Sequence, residues 1–185
     1  MSALPLPTRR GALRGPLVLA ALIAALGLSR CGLDPGRSGE PSGPLSARVT
    51  HVVDGDTIDV ELADGDHDAV RYIGIDTPET VKPGTPVQCG GPRAHEVNER
   101  LVGGRTVSLH FDAERRDVYG RLLAYVYLPR AGAGGRPLFV NAELARRGLA
   151  RTLTIPPNNS HAALFARLAA RAGVGGRGLW GRCPL

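Results

Sequence analysis

This chain lacks the spacings by which proteins commonly hold transition metals. Its three cysteines, Cys31, Cys89 and Cys183, are too far apart for any C-x-x-C pattern. "HEVNE" lacks the second histidine of a zinc-protease helix, and His51, His67, His95, His110 and His161 form no local ligand pair. All five histidines therefore read as structural or surface residues. An EF-hand is excluded as well: "DGDTIDVELADG" has Ile58 where the fifth position needs an oxygen donor and Asp59 where the sixth needs glycine. No internal repeat is present, which removes solenoids and propellers.

Long hydrophobic runs are equally scarce. The run from Gly15 to Ser29, "GPLVLAALIAALGLS", is fifteen residues long, too short to span a bilayer comfortably. It has no polar face, as a buried core helix would, and it follows Arg9, Arg10 and Arg14. That arrangement reads as a signal over residues 1–30. Two endings stand: Ala25 and Gly27 form an A-x-G cleavage site, while "LSRC" approximates a lipobox that would acylate Cys31, with Arg30 where a small residue is wanted. Either ending exports the chain, secreted or anchored at the outer face of the cell membrane through Cys31 or the N-terminal segment. Residues 31–44, mostly Gly, Pro and Ser, bury too little apolar surface to order themselves and read as a flexible linker. The remaining 45–185 are one domain by length. Export places Cys89 and Cys183 in an oxidising compartment, where they are the candidate disulfide; two unpaired buried thiols are the alternative.

What is present is an uneven charge. From Ser46 to Glu79 there are nine acids against two arginines; from Thr80 to Leu185 there are six acids against sixteen Lys and Arg. An acidic cluster inside a protein of pI about 9.9 suggests a cation site facing a polyanion. A solvated basic surface would account for the bases but not for the clustered acids.

The patterning predicts an α+β domain. "SARVTHVV" ends at the turn pair Asp54-Gly55; "TIDVEL" alternates strictly; a second Asp-Gly turn leads to "AVRYIGI". These make a three-stranded meander. Pro92 opens and glycine closes a helix over "RAHEVNERLVGG", and "RTVSLHF" and "LLAYVYL" are two further strands. "PLFVNAELARRG" is a second helix closed by Gly148. Asn159 or Ser160 can cap a third, "HAALFARLAARAG", whose Leu164, Phe165, Leu168 and Ala172 share a face. Five strands and three helices fit an open β-barrel with helices packed against it.

Asp54, Asp56 and Asp76 lie at neighbouring strand ends, with Glu79 just beyond. Such hard oxygen donors suit Ca²⁺, or Mg²⁺ in a tighter geometry. Arg71 and Arg121 could grip phosphate oxygens with planar, bidentate forks, and Glu79 could position or deprotonate an attacking water. Singly these are ordinary strand and turn residues; together they point to a phosphodiester.

"VVDGDTIDV", "VRYIGIDTPET", "DVYGRLLAYVYL" and "VNAELARRGLAR" through "PPNNSH" resemble, in order and spacing, the signature segments of the staphylococcal nuclease (thermonuclease) family, over about residues 46 to 182. The resemblance implies an OB-type five-stranded barrel with three helices that degrades DNA and RNA using Ca²⁺. It implies Asp56, Asp76 and the Thr77 carbonyl as calcium ligands, with Asp54 in or near that shell. It further implies Arg71 and Arg121 as the phosphate-binding arginines and Glu79 as general base, with cleavage leaving 3′-phosphate ends. Two departures stand out: Val118 replaces a frequent lysine, and "ARTLTIPPNN" lacks the tyrosines that flank the nucleotide in the best-known members.

Two other readings compete. A catalytically silent OB module would bind nucleic acid through its basic surface but has no need to keep Asp56, Asp76, Glu79, Arg71 and Arg121 together. A calcium-stabilised adhesion domain would use the acids and leave the arginines unexplained. No protein partner is implied, and a monomer is expected.

Overall fold

Ile58 and Val60 are fully buried while Asp59 and Glu61 on the other face are half-exposed, as alternation in a half-buried strand requires. The computed structural model describes residues 43–81, 84–129 and 135–184. The signal over 1–30, most of the linker and Cys31 lie outside the described residues. Among the described residues no helix is long and apolar enough to cross a membrane.

The meander is β1 (Leu45–Val52), β2 (Thr57–Leu62) and β3 (His67–Tyr72), followed by the short β4 (Gly74–Asp76). Helix α1 (Gly91–Val102) leads to β5 (Thr106–His110) and β6 (Leu122–Leu128). β7 (Leu138–Phe139) runs directly into α2 (Val140–Arg146); β8 (Arg151–Leu153), α3 (Ala162–Val174) and the short α4 (Leu179–Arg182) follow. Sheet order is β3-β2-β1-β5-β6-β7. A parallel pairing of Val70, Arg71 and Tyr72 with Leu122, Leu123 and Ala124 joins β3 to β6. That pairing closes the barrel, where strand count alone suggested an open one. The fold is α+β, a closed five-stranded OB-type barrel with three main helices packed on it.

Closure has a polar fastener. Asn141, fully buried on α2, accepts the Val126 N–H at 2.9 Å and donates to the carbonyls of Ile73 at 3.0 Å and Ala124 at 3.3 Å. The chain bends away after β3, and Asn141 supplies the Ile73 carbonyl with a partner there; the Ala124 carbonyl also accepts the Ile73 N–H at 3.0 Å. Just beyond, Gly74 has φ of +84°, and any side chain there would run into the ring of Phe165. Phe165, with Leu168 and Ala172, forms the inward face of α3. Neither Asn159 nor Ser160 caps this helix through its side chain; His161 occupies that position. Ser160 is engaged elsewhere: its hydroxyl and N–H donate to Asp112 at 2.7 and 3.0 Å, an ionised acceptor that outcompetes a helix end.

Candidate active site

The "DGDT" turn between β1 and β2 is held by its own side chains and by α1. Asp54 Oδ1 accepts the Asp56 N–H at 2.9 Å, an Asx-type turn. Asn98 on α1 donates to the Asp54 carbonyl at 3.1 Å and accepts the Tyr72 hydroxyl at 3.0 Å, linking the turn to the barrel core. Gly55 is required by close approach: a Cβ would fall 2.7 Å from Ala94 Cβ and from Thr77 Oγ1.

This packing aims Asp56 inward. Its carboxylate is fully buried; Oδ2 accepts the Thr77 N–H at 2.6 Å and Oδ1 meets Arg71 Nη1. From the end of β3, Arg71 also reaches Asp76 Oδ1 through Nη2 at 2.8 Å. A buried carboxylate is tolerated only when its charge is matched. Here one guanidinium spans two carboxylates, one in the β1–β2 turn and one at the end of β4. Burial raises the Asp54 carboxyl pKa, partly offset by Arg71 and Thr57, while the Glu79 charge raises it further. Glu79 therefore lies within electrostatic reach of the same cluster. Its Oε1 accepts the N–H groups of Thr80 and Val81, both at 2.9 Å, and Gln88 pins its backbone N–H and carbonyl. Next along the chain, Cys89 is bonded to Cys183, so this support is tethered to the C-terminal end.

Arg121 stands apart from the carboxylate cluster. It is gripped by Asp117, to whose Oδ2 it donates from Nε at 2.8 Å and Nη2 at 2.7 Å, in the tight turn that opens β6. A groove of about 350 Å³ nonetheless brings Arg71 and Arg121 onto one wall system, with Leu153 and Ile155 at its side. Leu153 and Ile155 belong to the "ARTLTIPPNN" segment; Asp117 and Tyr119, which line the same groove, were not singled out in the sequence. Tyr119 is 81% exposed, and Arg121 lies 5.4 Å from its ring centroid. The groove thus keeps one aromatic face despite the absent tyrosines before "PNN". The signal was the same "DVYGR" string: an acid four residues before the arginine, and an aromatic two before it.

Among the described residues, no three Asp, Glu, His or Cys side chains converge as a ready cation cage. The donors fit a hard cation all the same. Asp56 and Asp76 already turn one oxygen each toward a single positive group, and the set is entirely oxygen.

The comparisons with known proteins point one way. The family described as staphylococcal nuclease homologue matches residues 69–182. The thermonuclease of Staphylococcus intermedius is 42% identical over 134 residues, 72% of this chain and 75% of that protein. That of Staphylococcus hyicus is 46% identical over 111 residues, 60% and 61% of the two chains. Endonuclease YncB of Bacillus subtilis (strain 168) is 40% identical over 119 residues, 63% of this chain but about half of its own, 53%. Sequence likeness of this extent, carried on a barrel that sets two arginines along one groove beside paired aspartates, makes the chain a member of the staphylococcal nuclease family.

Proposed function

We propose that the protein is an exported, calcium-dependent nuclease that hydrolyses DNA or RNA to 3′-phosphate ends. The observation that carries this reading is the double role of Arg71: one guanidinium touches the buried Asp56 and the half-exposed Asp76 while lining the groove that it shares with Arg121. Polyanion contact and carboxylates meet at that residue.

In this mechanism Arg71 and Arg121 hold the non-bridging oxygens of the scissile phosphate and neutralise charge as it grows in the transition state. Glu79, fixed by two backbone N–H groups, takes a proton from water. The water oxygen bonds to phosphorus as the bond to the 5′ oxygen breaks; that oxygen takes a proton from solvent water, Glu79 later returns its proton to solvent, and phosphate stays on the 3′ side. Asp56, Asp76 and the Thr77 carbonyl would hold Ca²⁺, with Asp54 behind them. When bound, the ion supplies further positive charge at the phosphate. The Cys89–Cys183 bond supports an exported, oxidising location, with anchoring through Cys31 or the N-terminal segment as the alternative to free secretion.

Incubating the full chain with plasmid and with RNA, in calcium and in excess EGTA, tests the reading. Cleavage in calcium alone, with 3′-phosphate termini, is the expected result. Undiminished cleavage in EGTA would sink the calcium dependence, and binding without cleavage would leave a silent OB module.

A further inference from the structure

A larger groove, about 690 Å³, lies among the ends of the helices and shares no residue with the groove of Arg71 and Arg121. Its construction follows from two ties and an apolar floor. The Leu179 N–H donates to the Gly148 carbonyl at 2.9 Å, joining α4 to the end of α2. The Cys89–Cys183 bond joins the end of α4 to the segment before α1. Val97, Leu149 and Leu179, each no more than 5% exposed, make its floor.

Its walls carry Arg93, Arg146, Arg147, Arg177 and Arg182, and no acidic residue lines it. Neighbouring acids only partly balance this charge. Arg146 and Arg147 share the single carboxylate of Glu143, with contacts of 2.7 Å. Arg93 shares Glu96 with Arg100. Arg177 donates to the Arg171 carbonyl, and among the described residues neither it nor Arg182 has an acidic partner. Basic residues at helix ends are favourable for the helix dipole alone, by a few tenths of a kcal/mol each. That accounts for Arg146 or Arg182 singly, but not for five arginines lining one groove beside only two shared carboxylates, Glu143 and Glu96.

We propose that this arginine-lined groove is a second contact for the phosphodiester backbone of a polynucleotide, away from the site of cleavage. The inference rests on the nuclease reading for its choice of polyanion. Shape favours a strand over an anionic membrane: the surface is concave, its apolar residues are buried as a floor and cannot insert into lipid, and its positive charge lies along a groove that a phosphate chain can follow. Such a contact would help a long substrate and not a short one, since only a chain of several nucleotides can occupy both grooves at once.

The test is Arg146→Gln with Arg182→Gln, at the ends of α2 and α4, beside the charge-keeping pair Arg146→Lys with Arg182→Lys. Anisotropy of a labelled 20-mer of deoxythymidine is followed in EDTA across a salt series. In parallel, KM is measured in calcium for a long single strand and for a dinucleotide. The glutamine pair is expected to weaken 20-mer binding at least fivefold, to reduce the slope of log affinity against log salt by about 1, and to raise KM for the long substrate alone. The lysine pair should stay within about twofold of wild type. Unchanged 20-mer affinity and slope in a folded glutamine variant would overturn the proposal, as would equal damage to dinucleotide and long-strand turnover. Capture of phosphatidylglycerol vesicles without 20-mer binding would overturn it in favour of a membrane. Binding that is lost in the glutamine pair, from a protein that cleaves nothing in calcium, would uphold this groove and sink the nuclease reading.

Discussion

Two charged regions of this molecule are built from the same side chains in opposite proportions. Around Arg71, one guanidinium faces Asp56 and Asp76, with Asp54 and Glu79 in electrostatic reach. Around Glu143, one carboxylate is shared by Arg146 and Arg147, and three more arginines stand nearby on the same groove. The first region is partly or fully buried and short of positive charge. The second is open to solvent and short of negative charge. Each deficit names a ligand: a hard cation for the first, a phosphate chain for the second. A charge imbalance that folding does not resolve is informative about binding because it costs stability in the free protein.

The comparison breaks most severely at Asp56. Asp56→Asn keeps an oxygen to accept the Thr77 N–H but removes the charge that holds Arg71, so cleavage of plasmid should fall about a thousandfold. The calcium concentration needed for half-maximal rate should rise in any residual activity. A variant within tenfold of wild type would mean that the acid-rich region is structural.

Next in size is the disulfide, which the two regions share. Cys89 follows Gln88, which pins Glu79, and also lines the arginine groove. Replacing Cys89 and Cys183 by alanine opens a loop with a sequence separation of 94, and the stability lost in urea unfolding should be about 3 kcal/mol. Turnover and long-strand binding should both weaken at a temperature where the variant is still folded. Loss of one without the other would show that the tether serves a single region.

Arg121→Lys sharpens the contrast between positioned and merely abundant arginines. At Arg121 both Nε and Nη2 are committed to Asp117, and a lysine ammonium cannot hold that partner and a phosphate in one plane. kcat should fall about a hundredfold. In the arginine groove the same exchange should cost almost nothing. Equal tolerance at both places would make Arg121 one more surface charge.

How much of this could be read beforehand depends on sequence distance. Alternation in "TIDVEL" located β2, and Pro92, Gly103 and Gly148 bounded two helices, because these signals act within one or two turns of chain. Thr57 already departs from the alternation: it is buried with Ile58, since the turn folds over it. The β3–β6 pairing that closes the barrel joins segments about fifty residues apart and leaves no local mark. The acid-rich site was legible because its members fall between 54 and 79 in the chain. Arg93, Arg146, Arg147, Arg177 and Arg182 are spread over about ninety positions. Only the packing of helix ends gathers them.

A smaller effect is expected where the groove of Arg71 and Arg121 is apolar. Leu153 and Ile155 line it together with the exposed Tyr119. A second aromatic face should add roughly 1 kcal/mol of stacking on a base, so Leu153→Tyr or Ile155→Tyr should lower KM severalfold with kcat unchanged. If neither does so in a folded protein, bases do not pass along this wall.

The smallest effect, and the one that separates stability from binding, belongs to Glu143. Arg146 and Arg147 hold its carboxyl pKa below the usual value through hydrogen bonds and charge, against a smaller opposing effect of burial. A depressed folded-state pKa means that these pairs contribute stability above the unfolded-state pKa, near 4.3, and lose it as pH falls through the lower folded value. Both arginines are 40% or more exposed, so solvent screening limits the contribution to about 1 kcal/mol or less. Glu143→Gln should therefore be slightly less stable than wild type at pH 7 and equally stable once the pH is well below 4. Losing the one shared acid should also free two guanidiniums, tightening 20-mer binding about twofold and steepening its salt dependence. A variant that is both less stable and a weaker binder would show that Glu143 orders the arginines for their ligand. One that is less stable and a tighter binder would show that it competes with that ligand, as the imbalance of charge around it implies.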